Sequence, residues 1–406
     1  MSWEFPAWYQ LTPLEVLAPR VERIATMCAE EGLGGILLTD AYDVFYACGT
    51  SQQGLVLIPA KGEPLVLMRR HAERAAAESP LTVTPISGLT QAADFLLTAL
   101  PQGSRLGLTL DVVAASDYLG WQKRLPGLKL VDATGPWLEL KAVKDAWELE
   151  RMAEAGKLAA SIYAALPGLI KPGMSEAELA GEMQRLAIAG GSIDYLRSRH
   201  AYHQTYSWHI SSGPEGNLPS AMDAPFNGWG LSPAFPLGAS QRRFKPGQPI
   251  NVDFGVSVGG YQTDQTRTFV LGAAPREVRA AHACLEEIEA AYINGLVPGA
   301  VSGELFDLGL EIAARHGLSD SYLGKPGHKI RFAAHGVGQE LGCPPYILEN
   351  SQAVVHENQT YALELKIITP QGPVGLESTV AVRASGPARN LTPAPSLLAE
   401  IPLEAS

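Results

Sequence analysis

Two aspartates, Asp253 and Asp264, stand eleven residues apart in NVDFGVSVGGYQTDQTRT, a stretch whose other residues mostly read as β-strand. Gly259-Gly260 suits a two-residue hairpin turn, because both positions of a type I′ turn need positive φ. That turn sets a register in which Val258 faces Tyr261, Gly255 faces Asp264 and Asp253 faces Thr266. Asp253 and Asp264 then share a face as diagonal neighbours, about 7 to 8 Å apart at Cα. Two carboxylates so placed repel unless cations lie between them, and they can reach a pair of ions roughly 3.5 to 4 Å apart. An ordinary hairpin would leave such acids on a solvated face. Here that face also carries Gly255, Ser257 and Gly259, which leave room for something to approach, while Phe254, Val256 and Val258 form an apolar face.

Three further residues extend the set. His335 sits in AAHGVG, where glycines let the backbone come close to a neighbour. Glu364 in YALELKII and Glu377 in VGLESTVAV interrupt strand-like runs joined by the turn segment TPQGP. An acid that breaks a strand pattern must be exposed, paired or metal-bound. Oxygen donors from four carboxylates with one imidazole suit Mn(II), Fe(II), Co(II) or Zn(II) better than a structural zinc site. A lone histidine beside glycine is more often a structural feature, so His335 takes its meaning from the acids around it.

These residues need elements to hold them. A length of 406 residues suggests two or three domains at about 150 residues each. Residues 14 to 32 have helical period, and the short runs GGILLT, DVFYACG, GLVLIP, PLVLM, LTVTPI and LGLTL read as strands, with helical patterns at 71 to 78 and 90 to 99. This predicts a small α/β domain over 1–142 and a second domain over 143–406. The second opens with a long amphipathic helix starting in LELKAVKDAWELERMAEAGKLAASIYAAL. From 145 the order reads helix, helix, strands, hairpin, and then the same again. Pro172-Gly173 leads to Glu178-Leu179 as Pro298-Gly299 leads to Glu304-Leu305, each at an offset of 126 residues. That predicts two αα-ββ halves with a site at their pseudo-twofold seam.

Composition narrows the function classes. The chain is 46% hydrophobic and 18% charged, as folded proteins are, with a net charge of -11 and no clustered basic stripe. Nucleic acid and anionic membrane are poor partners for it. No signal-peptide pattern and no apolar run of roughly 18 residues is found, so a cytoplasmic location is expected. Cys28, Cys48, Cys284 and Cys343 lie far apart without a CxxC, which argues against a disulfide framework or a thiolate zinc site.

At these residues the sequence resembles the pita-bread metallopeptidases, the family of aminopeptidase P, prolidase, methionine aminopeptidase and creatinase. ERIATMCAEEGLGGILLTDAYDVFYACGT resembles the family's N-terminal domain, and ELKAVKDAWELERMAEAGKLA and KPGMSEAEL its leading helix and following turn. DFGVSVGGYQTDQTRT is the most specific match, and HGVG, LEL and LEST follow in family order. The resemblance implies an α+β pita-bread catalytic domain behind a smaller creatinase-type α/β domain, and commonly a homodimer. It implies two divalent ions, most often manganese, with Asp253 on one, Asp264 and Glu377 bridging, and His335 and Glu364 completing the other. Such a pair lowers the pKa of a bridging water to near neutrality. Glu364 would also take up the proton, and the reaction would be hydrolysis of an amide bond next to a peptide N-terminus, often before proline. Arg267 and Thr268 would brace the hairpin.

The pattern breaks at several positions. Gly342 and Cys343 stand where the peptidases carry His and Glu, and Ser220 where they carry a second His. Losing one such donor to a developing charge typically costs about 2.7 to 4 kcal/mol. Gly375 replaces a usual Arg and Leu365 a usual Pro. His203 and His209, in RHAYHQTYSWHISSG, are the nearest spare imidazoles that could substitute, with His328 more remote. Residues 221–244, rich in Gly, Pro and aromatics, form an insertion that either narrows the substrate cleft or makes a surface excursion. Three functions follow: an Xaa-Pro peptidase, a metal-dependent hydrolase or lyase of a small non-peptide molecule, and a non-catalytic binding module. Retention of all five ligand types argues against the third.

Overall fold

Gly259 and Gly260 both take the left-handed conformation, with φ of 60° and 84°. The hairpin between them pairs Val258 with Tyr261 and Val256 with Thr263, and the flanking strands pair Asp253 with Thr266, as the turn requires. In this computed structural model residues 4–199 and 208–403 are described. The chain divides into two units, Met1–Lys141 and Ala142–Ser406.

In the first unit one sheet of six strands has the spatial order Val83–Pro85, Leu65–Met68, Gly54–Pro59, Gly35–Leu38, Arg105–Leu108, Lys129–Asp132. Strand alternation supplies a core on each face. Ile36, Leu38, Val56 and Ile58 pack with helices Leu14–Glu30 and Ala41–Cys48, and Leu37, Leu55, Leu57 and Leu67 with Leu89–Ala99 and Ala115–Arg124. The run DVFYACG, expected as a strand, lies in the helix Ala41–Cys48. Asp40 caps it by accepting from the Tyr42 N–H, and Gly49 ends it at φ 78°. Two later elements, the helices Ala115–Arg124 and Thr134–Ala142, lacked a clear period in the sequence.

The second unit begins with a correction. The long helix expected from residue 138 is two helices: Thr134–Ala142 stops, and Asp145 starts Ala146–Leu169 through a capping box with Glu148. Thereafter the internal repeat is visible in the backbone. The helix pair Ala146–Leu169 and Glu176–Ala189 is matched by Arg276–Gly295 and Ser302–Arg315. Between the helices, Gly173 donates to the Phe244 carbonyl and Phe244 to Met174. In the second half Gly299 donates to Val355 and Val355 to Ala300 in the same pattern. The bridges Ser175 to Arg243 and Val301 to Val354 repeat in step.

Each helix pair packs on its own sheet. The first covers four strands ordered Ala399–Ile401, Thr266–Leu271, Pro249–Phe254, Trp208–Ser212, around Ile210, Ile250, Val252 and Phe254. The second covers five, ordered Leu341–Leu348, Phe332–Val337, Thr360–Ala362, Thr379–Ala381, Arg389–Asn390, and the hairpin Leu365–Thr369 with Gly372–Leu376. The halves are stitched by Thr266 and Glu377, which exchange both backbone hydrogen bonds. The seam between two such sheets is where strands break, and broken strands free side chains to point inward.

Candidate metal centre

Asp253 is the penultimate residue of the strand Pro249–Phe254, and His335 lies within Phe332–Val337. The other three acids occupy breaks: Asp264 between Tyr261–Thr263 and Thr266–Leu271, Glu364 between Thr360–Ala362 and Leu365–Thr369, Glu377 between Gly372–Leu376 and Thr379–Ala381. All five converge, with Glu377 fully buried and Asp264, His335 and Glu364 nearly so. Ligand atoms of Asp264, His335 and Glu377 lie within 4.8 Å of one another, and so do those of Asp253, Glu364 and Glu377. Glu364 therefore groups with Asp253, where pairing with His335 had been expected.

The first group has the features of an ion site. His335 Nδ1 lies 3.1 Å from the Gly336 carbonyl, which fixes the tautomer and turns the Nε2 lone pair inward. Nε2 stands 3.9 Å from both Asp264 Oδ2 and Glu377 Oε1. Two ligands each about 2.1 Å from one ion are at most about 4.2 Å apart, so the spacing is within range. Glu377 Oε1 is buried with no hydrogen-bond partner among the described residues. An orphaned carboxylate oxygen facing an imidazole lone pair calls for a cation. Burial, together with the charges of its neighbours, pushes the Asp264 and Glu377 carboxyls well above the usual range. Two bonds tie the acids in place: Thr266 Oγ1 donates to Glu377 Oε2 at 2.7 Å, and Gln265 N–H to Asp264 Oδ1 at 3.1 Å.

The second group contains a residue that sequence reasoning missed. Lys366 Nζ donates to Asp253 Oδ2 at 2.7 Å and to Glu364 Oε1 at 2.5 Å, and stands 3.6 Å from Glu377 Oε2. Burial alone would lower its pKa, but Asp253, Glu364 and Glu377 reverse that and hold it well above the ordinary lysine value. Burial likewise works to raise Glu364, and the Lys366 ammonium outweighs it, keeping this carboxyl below its usual value. The signal was present in the sequence. A lysine two residues after a ligand in the run LELKII shares the ligand's face of the strand.

The spare imidazoles separate clearly. His209 pairs across the strands with Asp253, its Nδ1 3.8 Å from Asp253 Oδ2, and its Nε2 lies 3.1 Å from the Asn227 carbonyl. Burial lowers its pKa, so the neutral ring is favoured. His203 lies outside the described residues, and His328 is exposed. The insertion reaches the site: Phe226 is fully buried, with Lys366 Nζ 5.9 Å from its ring centroid, and Asn227 holds His209. The room beside Gly255 is not for an ion. A Cβ there would meet Leu196 Cδ1 at 2.4 Å and the Thr263 carbonyl at 2.7 Å. Arg267 braces, as expected, donating to the carbonyls of Thr266, Glu377, Ala394 and Pro395. A groove of about 890 Å³ in the first unit, lined by Arg69, Arg70 and His71, contains none of these residues.

The profile of Metallopeptidase family M24 matches residues 150–384, and that of the Creatinase/Prolidase N-terminal domain residues 20–143. The chain belongs to metallopeptidase family M24. It is a metallohydrolase with the α+β pita-bread fold behind a creatinase-type domain. It is 25% identical over 376 residues to the probable dipeptidase PepE of Mycobacterium tuberculosis, covering 88% of this chain and 89% of that one. It is 24% identical over 343 residues to the ectoine hydrolase of Halomonas elongata, covering 74% and 76%. The solved Xaa-Pro dipeptidase from Bacillus anthracis superposes with a TM-score of 0.81 at 22% identity, covering 95% of this chain and 100% of that one. The family's divalent-metal chemistry has a counterpart here in the acidic groups described above. Among the described residues no helix is long and apolar enough to cross a membrane.

Proposed function

We propose that this member of the M24 family hydrolyses an amide bond in a small molecule or short peptide, using a divalent ion, manganese(II) by preference, held by Asp264, His335 and Glu377. The observation that carries this is the buried, unpartnered Glu377 Oε1 facing the His335 Nε2 side of the cluster. When bound, such an ion supplies Lewis acidity, lowering the pKa of a water in contact with it and polarising the carbonyl under attack. The protein's own groups do the rest. Glu364, kept ionised by Lys366, takes up the attacking water's proton and returns it to the leaving nitrogen. Asp253 and Lys366 fix Glu364's carboxylate from one side, and Thr266 fixes Glu377's from the other. His209, anchored on Asn227, borders the Asp253 end and is the one described imidazole near enough to orient substrate.

Relatives bear two kinds of name, dipeptidases and a hydrolase of a small molecule. The relatives named Xaa-Pro dipeptidase support an Xaa-Pro dipeptide as the substrate here. A second reading, a small non-peptide amide, is supported by this chain's departures. Gly342 offers no side chain where a second imidazole is usual, and Phe226 of the insertion closes the Lys366 end. The ectoine hydrolase is, by its name, a hydrolase of ectoine and not of a peptide. The manganese-loaded protein should be assayed against Xaa-Pro dipeptides and against small cyclic and N-acyl amides. Turnover of either that is abolished by chelation supports the reading. Metal-independent turnover, or none on any amide, refutes it.

A further inference from the structure

Lys366 separates the two halves of this carboxylate cluster into different kinds of site. Its ammonium lies 2.7 Å from Asp253 Oδ2 and 2.5 Å from Glu364 Oε1. A metal ion bound to those same oxygens at about 2.0 to 2.2 Å would fall on the space that Nζ fills. The two cannot share it. We propose that the Lys366 ammonium takes the place of a second metal ion, so that the chain holds one divalent ion, at Asp264, His335 and Glu377, beside a tethered cation at Asp253 and Glu364. This rests on the metallohydrolase reading above and sets aside the second of the two ions that the family resemblance implies.

Three features hold the lysine there. Lys366 is only 1% exposed, so withdrawing it means leaving an unpaired ammonium in a buried setting, a large cost. Its strand is pinned: the Lys366 carbonyl accepts from Leu323 N–H at 2.9 Å, and Lys366 pairs with Gly375 across the hairpin. Gly375 stands where the family carries an arginine, and a Cβ there would meet Asn251 Oδ1 at 2.2 Å. A side chain at 375 would thus have to displace Asn251 and Thr266, and this chain places its cation on the neighbouring strand. The orphaned oxygen points the same way. Glu377 Oε1 lacks a partner toward His335, while Oε2 has Thr266 and faces Lys366.

The substitution changes what the site can recognise. A divalent ion accepts lone pairs from amines, carbonyls and carboxylates alike, whereas an ammonium only donates. The Lys366 end, its ammonium buried and already donating to Asp253 and Glu364, therefore offers no coordination position to a free amine of the substrate.

The test is a metal count on the full-length protein, stripped with chelator, saturated with manganese(II), freed of excess by gel filtration and measured by mass spectrometry. About one ion per chain is expected in the wild type, and about two in Lys366→Met, which keeps the stem and removes the charge. Two ions in the wild type would overturn the inference and leave the hydrolase reading standing; none, with no metal-dependent turnover, would overturn both. One ion in a folded Lys366→Met would show that the lysine is not what excludes the second. Should that variant fail to fold, electron paramagnetic resonance of the wild type decides. Isolated manganese(II) with resolved hyperfine structure supports the proposal, and an exchange-coupled pair refutes it.

Discussion

The two ends of the site are built from the same materials and reach opposite electrostatic solutions. At one end Asp264, Glu377 and the His335 imidazole face one another with a carboxylate oxygen unpartnered. At the other Asp253 and Glu364 close on Lys366, and each makes a short charge-assisted bond. The first is incomplete as a piece of protein and needs an ion; the second is satisfied by the chain itself. A cluster of four carboxylates is thus not evidence for a given number of metals. What decides is which oxygens already have donors.

That contrast can be broken in graded steps. The largest effect belongs to the incomplete end. His335→Ala or Glu377→Gln should lower bound metal toward zero and reduce kcat/KM on the order of 10³-fold, measured by mass spectrometry and steady-state kinetics. Glu364→Gln comes next and is more discriminating. With one ion at the other end, it should keep its metal while kcat falls by about 10² to 10⁴, the range of a lost general base. Loss of metal together with activity would make Glu364 a ligand instead.

Smaller effects lie around the satisfied end. His209→Ala should cost about 10- to 100-fold in kcat/KM, as removal of outer positioning groups does, without changing the metal count. An unchanged rate would return His209 to a packing role. Phe226→Ala, which removes the ring near Lys366, should lower kcat/KM by roughly two- to fivefold, the scale of one cation–π contact. If the insertion were remote from the reaction, the two rates would be equal.

The sequence carried the hairpin register fully, because Gly259-Gly260 admits positive φ at both turn positions and the alternation from Asp253 to Thr266 follows from it. It carried the repeat as well, since the Pro-Gly turns at 172 and 298 start equivalent bridges. Where it misled, local signals competed. DVFYACG is apolar enough to read as a buried strand, yet Asp40 and Gly49 bracket it as helix caps. Residues 138–166 look like one amphipathic run, and only Asp145 with Glu148 marks the restart. Lys366 was hidden for a different reason. A lysine in a strand normally snorkels to water, and nothing local reveals that Asp253, 113 residues earlier, will meet it. The insertion's role was equally non-local, depending on Asn227 meeting His209.

The most direct test is an anomalous-diffraction map of crystals soaked in manganese(II). The account predicts a single strong peak bound by Asp264, His335 and Glu377, with Lys366 Nζ remaining between Asp253 and Glu364. Two peaks with the lysine displaced, or a peak at Asp253 and Glu364 alone, would contradict it.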